Sequence, residues 1–144
     1  MPERVDFYLM DSADQISLLT CACRIAGKAF QQGLRVYIQL DDGEAVKTLD
    51  QLLWSFSPTS FVPHDIAGSD QANDAPVVIG NGSGPAGYEQ LLVSLTREIP
   101  ADVERYHRVA DLISSEPQNK QLGRERYKQY RAAGVEPITH EISI

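Results

Sequence analysis

Apolar residues in this chain fall by turns into short runs and into longer stretches with helical spacing. Arg4–Met10 (RVDFYLM) reads as a strand. The spacing of Leu18, Ala22, Ile25, Ala29 and Phe30 predicts a helix over about residues 13–32. Ser12 and Gln15 supply a capping-box start for it, and Gly33 stands just past its end. Residues 34–40 (LRVYIQL) form the second predicted strand, and Asp41-Asp42-Gly43 caps a helix running to about Trp54. Strand, helix, strand, helix in that order predicts an α/β fold: one parallel sheet with helices on its faces.

The second half is more broken. Residues 55–73 form a turn-rich connection interrupted by Pro58 and Pro63, yet it is unusually apolar for a loop. Residues 76–80 (PVVIG) predict another strand. The glycine-rich residues 81–87 then lead to residues 89–96 (EQLLVSLT), short enough to be a strand. Residues 101–113 suit either a helix or a short helix followed by a strand. Ser115, with Pro117 in the first turn and Gln118 three residues on, starts a last helix that Gly134 ends. The final ten residues read as a loose tail, with no internal repeat anywhere.

Composition narrows the class of protein. A length of 144 residues fits a single domain over 1–144, able to bury roughly two-thirds of its unfolded surface. Hydrophobic content of 42% and charged content of 23% are ordinary for a globular protein. No apolar run approaches the roughly 20 residues of a membrane helix, and the N-terminus lacks the features of a signal peptide. A cytoplasmic protein with no membrane association is therefore expected. Cys21 and Cys23 lie two apart in a predicted helix, on different faces, which suits buried small residues better than a disulfide or a metal clip. With three distant histidines, no metal site is expected.

Candidate chemistry for catalysis is thin. Gly82-Ser83-Gly84-Pro85-Ala86-Gly87 is formally a dinucleotide-binding glycine pattern following a strand. It lies mid-chain, however, a strand rather than a long helix follows it, and no acidic residue waits about 20 positions on. A small α/β enzyme holding a nucleotide cofactor there is the alternative reading, and a flexible turn the simpler one. No phosphate loop of the GxxxxGK[ST] type occurs. Asp41, Asp42 and Glu44 sit where α/β folds place ligand groups, but helix capping and dipole pairing account for them. His64 has no nucleophile in a recognisable elbow nearby. No catalytic residue, cofactor or metal is predicted.

Two other features point to binding. Residues 118–131 (QNKQLGRERYKQYR) carry five basic residues and one acid, a local charge of +4 on a chain of −7, so the rest of the chain sums to −11. A basic island on an acidic protein is a poor surface for nucleic acid, whose phosphates the remaining field repels. Little direct nucleic-acid binding is expected, and a small acidic peptide suits the island better. On a helix, Lys120, Arg124, Tyr127 and Arg131 fall at i, i+4, i+7 and i+11 and form one stripe. That stripe is either a solvated helix face or a clamp for a carboxylate beside an apolar side chain. Trp54, Phe56, Phe61 and Val62, where the second helix runs into the irregular connection, either cover the sheet or form an interface hot spot.

Taken in order, VDFYLM, RVYIQLDD, LDQLLW, SFVPH at 60–64, PVVIG and LGRERYKQYRAAG at 122–134 resemble the chi subunit of bacterial DNA polymerase III, over roughly residues 5–134. The resemblance implies a Rossmann-like α/β fold without a nucleotide site, and a strand at about residues 108–113. It implies a non-catalytic adaptor. One partner would be a psi subunit, which tethers chi to the clamp loader. The other would be the acidic C-terminal tail of single-stranded-DNA-binding protein, which ends in Ile-Pro-Phe. Carried over by residue, the tail site would comprise Lys120, Arg124, Tyr127 and Ile113, with Arg131 completing the stripe. The psi interface would comprise Trp54 and Phe61 with Val62 and Pro63 alongside, a surface that another protein such as a helicase can also share. The glycine-rich loop at 81–87 departs from the family's more basic pattern there.

Overall fold

The computed structural model describes residues 1–57, 61–68 and 74–142. Among the described residues seven strands form one sheet: β1 (Arg4–Met10), β2 (Val36–Gln39), β3 (His64–Ile66), β4 (Val77–Gly80), β5 (Leu91–Ser94), β6 (Arg108–Ile113) and β7 (Ile138–Ile142). Their order is β3-β4-β2-β5-β6-β1-β7, and every neighbouring pair is parallel. Three α-helices accompany them: α1 (Gln15–Gln31), α2 (Gly43–Ser55) and α3 (Pro117–Ala132). The α/β reading with helices on both faces is what the chain adopts.

Strand side chains alternate between faces, so each central strand feeds two cores. Val36 and Ile38 of β2 join Val77, Ile79, Val93 and Leu112 under Leu19, Ala22, Cys23, Leu49 and Leu53 of α1 and α2. Tyr37 of the same strand points the other way, into a core with Phe7, Val78, Leu92 and Val109. That second core is covered by Tyr130 of α3 and by Tyr88, Val103 and Tyr106 from the connections. Cys21 and Cys23 are free and buried, as expected.

Several expectations are corrected in detail. The cap of α1 is Asp14, whose carboxylate accepts from the Ile16 and Ser17 amides, while the Ser12 hydroxyl accepts from the Asp14 amide instead of capping the helix. The carboxylate reaches two amides at once, which the shorter hydroxyl does not. Likewise Glu116, not Ser115, caps α3. The connection at 55–73 is not all turn, because His64–Ile66 pairs with β4; its residues 58–60 and 69–73 lie outside the described residues. Residues 101–113 resolve into a 3-10 turn at Val103–Arg105 followed by β6, the strand that the family resemblance implied.

The largest correction is the C-terminal segment. Ile138–Ile142 is a strand paired with β1 from Asp6↔Ile138 to Met10↔Ile142, not a loose tail; residues 143–144 lie outside the described residues. Side chains fasten it as well as the backbone. His140 Nε2 donates to Asp6 Oδ1 at 2.8 Å, and the imidazole stacks on Tyr8 with ring centroids 4.8 Å apart. Arg4 donates to the same carboxylate at 3.0 and 3.2 Å. Burial pushes the Asp6 carboxyl up, but the hydrogen bonds from Arg4 and His140 outweigh it and hold the group below its ordinary value. A depressed folded-state value means stability that is present above the unfolded value of about 3.9 and is lost as pH falls through the folded one. Asp6→Asn is therefore expected to be less stable than wild type at pH 7, with the gap closing below about pH 4. Urea denaturation at pH 7 and pH 3 checks this; a gap of equal size at both would assign the loss to packing.

Candidate functional site

Helix α3 shows how the basic island is divided. Its inward positions Gly123, Arg126 and Tyr130 are buried at spacings of three and four. Gly123 permits a close approach, since a Cβ there would drive into the Ile113 side chain of β6. Arg126 is only 5% exposed and makes a bidentate pair with buried Asp111, Nε to Oδ2 at 2.8 Å and Nη2 to Oδ1 at 2.9 Å. Its Nη1 donates to the Arg97 carbonyl at 2.9 Å, so every arm of the fork is used. Burial pushes the Asp111 carboxyl up, and the Arg126 hydrogen bonds and charge oppose it. Arg126 thus belongs to the core rather than to any surface stripe.

The outward cations differ from one another too. Lys128 lies 3.7 Å from Glu125 and Arg131 lies 3.5 Å from Glu136. Among the described residues, Lys120 and Arg124 have no carboxylate partner within 4.0 Å; Arg124 Nη1 donates to the neutral Gln121 amide oxygen at 3.3 Å. Both border a groove of roughly 740 Å³ between α3 and the β1/β7 edge of the sheet. All five residues of the expected tail site, Lys120, Arg124, Tyr127, Ile113 and Arg131, line this one groove. Its floor is apolar, with Phe7, Leu9, Ile113 and Tyr127, and the Tyr127 ring meets Phe7 edge-on at 5.4 Å. β7 contributes the far wall through Thr139, Glu141 and Ile142.

The second expected surface lies at the other edge of the sheet. Trp54 at the end of α2 is 56% exposed and Phe61, just before β3, is 63% exposed, with ring centroids 5.5 Å apart. Pro63 is half-buried beside them. Val62 is different: it is buried in the α1–α2 core, close over Gly27, and offers no surface to a partner. Val62 precedes Pro63, which biases its backbone toward the extended region where neighbouring side chains alternate, and Phe61 is exposed while Val62 is buried.

The glycine segment at 82–87 is held by the protein's own side chains. Tyr37 Oη donates to the Gly82 carbonyl, and Arg105 donates to the Gly84 and Pro85 carbonyls at 3.0 and 3.2 Å. A Cβ at Gly84 would lie 2.6 Å from Tyr106 Oη, so this glycine serves a close approach to two tyrosines. At the carboxyl ends of the strands, where related folds bind nucleotides, the amides of the first helical turns are taken up by Asp14, Asp42 and Glu116. Asp41 accepts from the Arg97 amide at 3.1 and 3.4 Å. Among the described residues no group of three His, Cys, Asp or Glu is arranged to hold a metal, and no helix is long and apolar enough to cross a membrane.

Sequence reasoning missed the Arg126–Asp111 pair and the β1 and β7 contributions to the groove. Ile138 and Ile142, the two apolar residues of β7, are four positions apart and too few to mark a strand. Nothing local marked Arg126 apart from its neighbours except its three-residue spacing from Gly123.

The fold and groove define a parallel α/β domain with an apolar trough bordered by Lys120 and Arg124 at one sheet edge and exposed aromatics at the other. Residues 1–137 match the family model for "DNA polymerase III chi subunit, HolC". The chain is 40% identical over 139 residues to the DNA polymerase III subunit chi of Pseudomonas aeruginosa, covering 96% of each chain. It is 35% identical over 133 residues to that of Escherichia coli, covering 89% of this chain and 90% of the relative. For the Haemophilus influenzae chi subunit the identity is 27% over 143 residues, with 99% of each chain covered. The chain belongs to the DNA polymerase III chi subunit family, an accessory subunit of that polymerase.

Proposed function

We propose that this chi-family chain is a non-catalytic adaptor of the replicative polymerase. It docks the acidic C-terminal tail of single-stranded-DNA-binding protein in the α3 groove and joins a psi-type subunit through Trp54 and Phe61, with Pro63 alongside. The observation that carries the reading is the unequal pairing of the five cations on α3: among the described residues Arg126, Lys128 and Arg131 each have a carboxylate partner, Lys120 and Arg124 have none, and both stand over an apolar floor. That combination suits a peptide ending in an aromatic residue with a free carboxylate and aspartates behind it. Arg124 and Lys120 engage the charges, Arg131 extends the cationic edge, and the Tyr127 ring and Ile113 flank the terminal ring.

Surface charge pairs contribute modestly, so one tail binds weakly, on the order of micromolar, and more weakly as salt rises. Several tails on an oligomeric partner raise the effective affinity. Fluorescence anisotropy of a labelled acidic peptide ending in Ile-Pro-Phe tests the groove. Arg124→Ala is expected to weaken binding about tenfold, the loss of roughly 1.4 kcal/mol. Arg131→Ala is expected to do less, because Glu136 already neutralises that guanidinium. Equal affinity for wild type and Arg124→Ala would leave the stripe a solvated helix face.

A further inference from the structure

We infer that His64 is the positioning residue of the aromatic surface: it fixes the Phe61–His64 segment so that Phe61 is presented against Trp54. The inference rests on the reading of Trp54 and Phe61 as a docking surface. His64 is itself buried, 7% exposed, and so is not a contact residue. Its Nδ1 lies 2.8 Å from the Val62 carbonyl oxygen and its Nε2 lies 3.0 Å from Asp50 Oδ1 on α2. Both ring nitrogens thus face oxygen acceptors, and the ring ties its own segment to the helix that carries Trp54. The imidazole also packs beneath the indole, with ring centroids 4.5 Å apart.

The geometry of the segment follows from two inward anchors. Val62 inserts over Gly27 of α1, and His64 inserts toward Asp50 of α2. Burial alternates along the segment accordingly: Val62 and His64 are inward, Phe61 is exposed and Pro63 is half-buried. The Phe61 ring then lies beside Trp54, centroids 5.5 Å apart, with no hydrogen-bonding group of its own to hold it there. A preorganised aromatic pair binds more tightly than one that must be ordered by the partner, because the ordering entropy has already been spent in folding. Losing the His64 anchor leaves Trp54 and Phe61 chemically intact but unregistered.

The test uses the full chain, a psi subunit on a biosensor surface, and the emission of Trp54, the only tryptophan in the sequence. His64→Gln is expected to shift the Trp54 emission and to weaken psi binding at least tenfold, while affinity for the Ile-Pro-Phe peptide stays within twofold. Asp50→Ala is expected to reproduce much of that loss. The double variant should be no weaker than His64→Gln, because the two residues act as one device. Additive losses, or psi affinity within twofold of wild type in His64→Gln, would overturn the inference. Trp54→Ala in the same assay separates the two levels. If it too binds psi normally, the docking reading fails. If it alone loses binding, only the role of His64 fails. Should wild type not bind psi at all, an unchanged Trp54 emission in His64→Gln still overturns the positioning claim.

Discussion

Arg126→Ala is expected to destabilise the fold by about 3–5 kcal/mol, the range for removing one partner from a buried ion pair. The substitution leaves Asp111, 1% exposed on the central strand β6, with neither of its bidentate donors. It also strips the Arg97 carbonyl of its guanidinium donor. Against a typical domain stability of 5–15 kcal/mol, a loss of that size is a large share of the total. Arg126→Lys is expected to recover only part of it, because an ammonium cannot make the forked contact. Replacing both residues by apolar ones, as in Arg126→Met with Asp111→Leu, should restore most of the loss, since the pair itself has little net worth against a packed alternative. Urea denaturation of the three variants decides the matter; a cost below about 1 kcal/mol for Arg126→Ala would show that water reaches Asp111. The binding consequence is indirect. Arg126 pins α3 against β6, and α3 is one wall of the groove, so even the folded fraction of Arg126→Ala should bind the peptide less well.

That pair also shows why some of the site was legible in the sequence and some was not. Lys120, Arg124, Tyr127 and Arg131 could be read as one stripe because helical periodicity is a local rule. The rule places side chains on a face without reference to the rest of the chain, and the groove has all four along it. Whether a cation on that helix is free or neutralised depends on residues elsewhere. Asp111 comes from another element, and its pairing turns one of five apparently equivalent cations into a core residue. The C-terminal strand was hidden for the same reason. Ile138–Ile142 is half exposed at a sheet edge and has too few apolar residues to declare itself. What fastens it is Asp6, 134 positions away, through His140. Central strands such as β2 and β4, by contrast, are buried on both faces and so appear as plain apolar runs. The segment around Val62 lies between these cases. Its aromatics were conspicuous, but the burial of Val62 over Gly27 and of His64 beside Asp50, with Phe61 left exposed, depends on elements far away in sequence.

Trp54→Ala should abolish measurable capture of a psi subunit while leaving both the fold and the peptide site untouched. Truncating a central interface tryptophan costs 2 kcal/mol or more, about thirtyfold or greater in affinity. The residue is 56% exposed in the free chain and packs mainly against Phe61 and His64, so its removal takes little from the core. Phe61→Ala should weaken capture in the same direction, whereas Val62→Ala should act through stability, since that side chain is internal. The independence of the two surfaces has a geometric basis. Phe61 adjoins β3 at one end of the strand order and the groove adjoins β1 and β7 at the other. Six interstrand spacings of about 4.8 Å separate those edge strands, roughly 29 Å across a rigid sheet. Two partners at that separation do not collide at their contact sites, and their charges are screened from each other beyond about 10 Å. A psi-loaded chain should therefore bind the Ile-Pro-Phe peptide with the affinity of the free chain, and Arg124→Ala should capture psi normally. Competition between peptide and psi in the same biosensor experiment would contradict that separation and would mean that the two ligands share one surface.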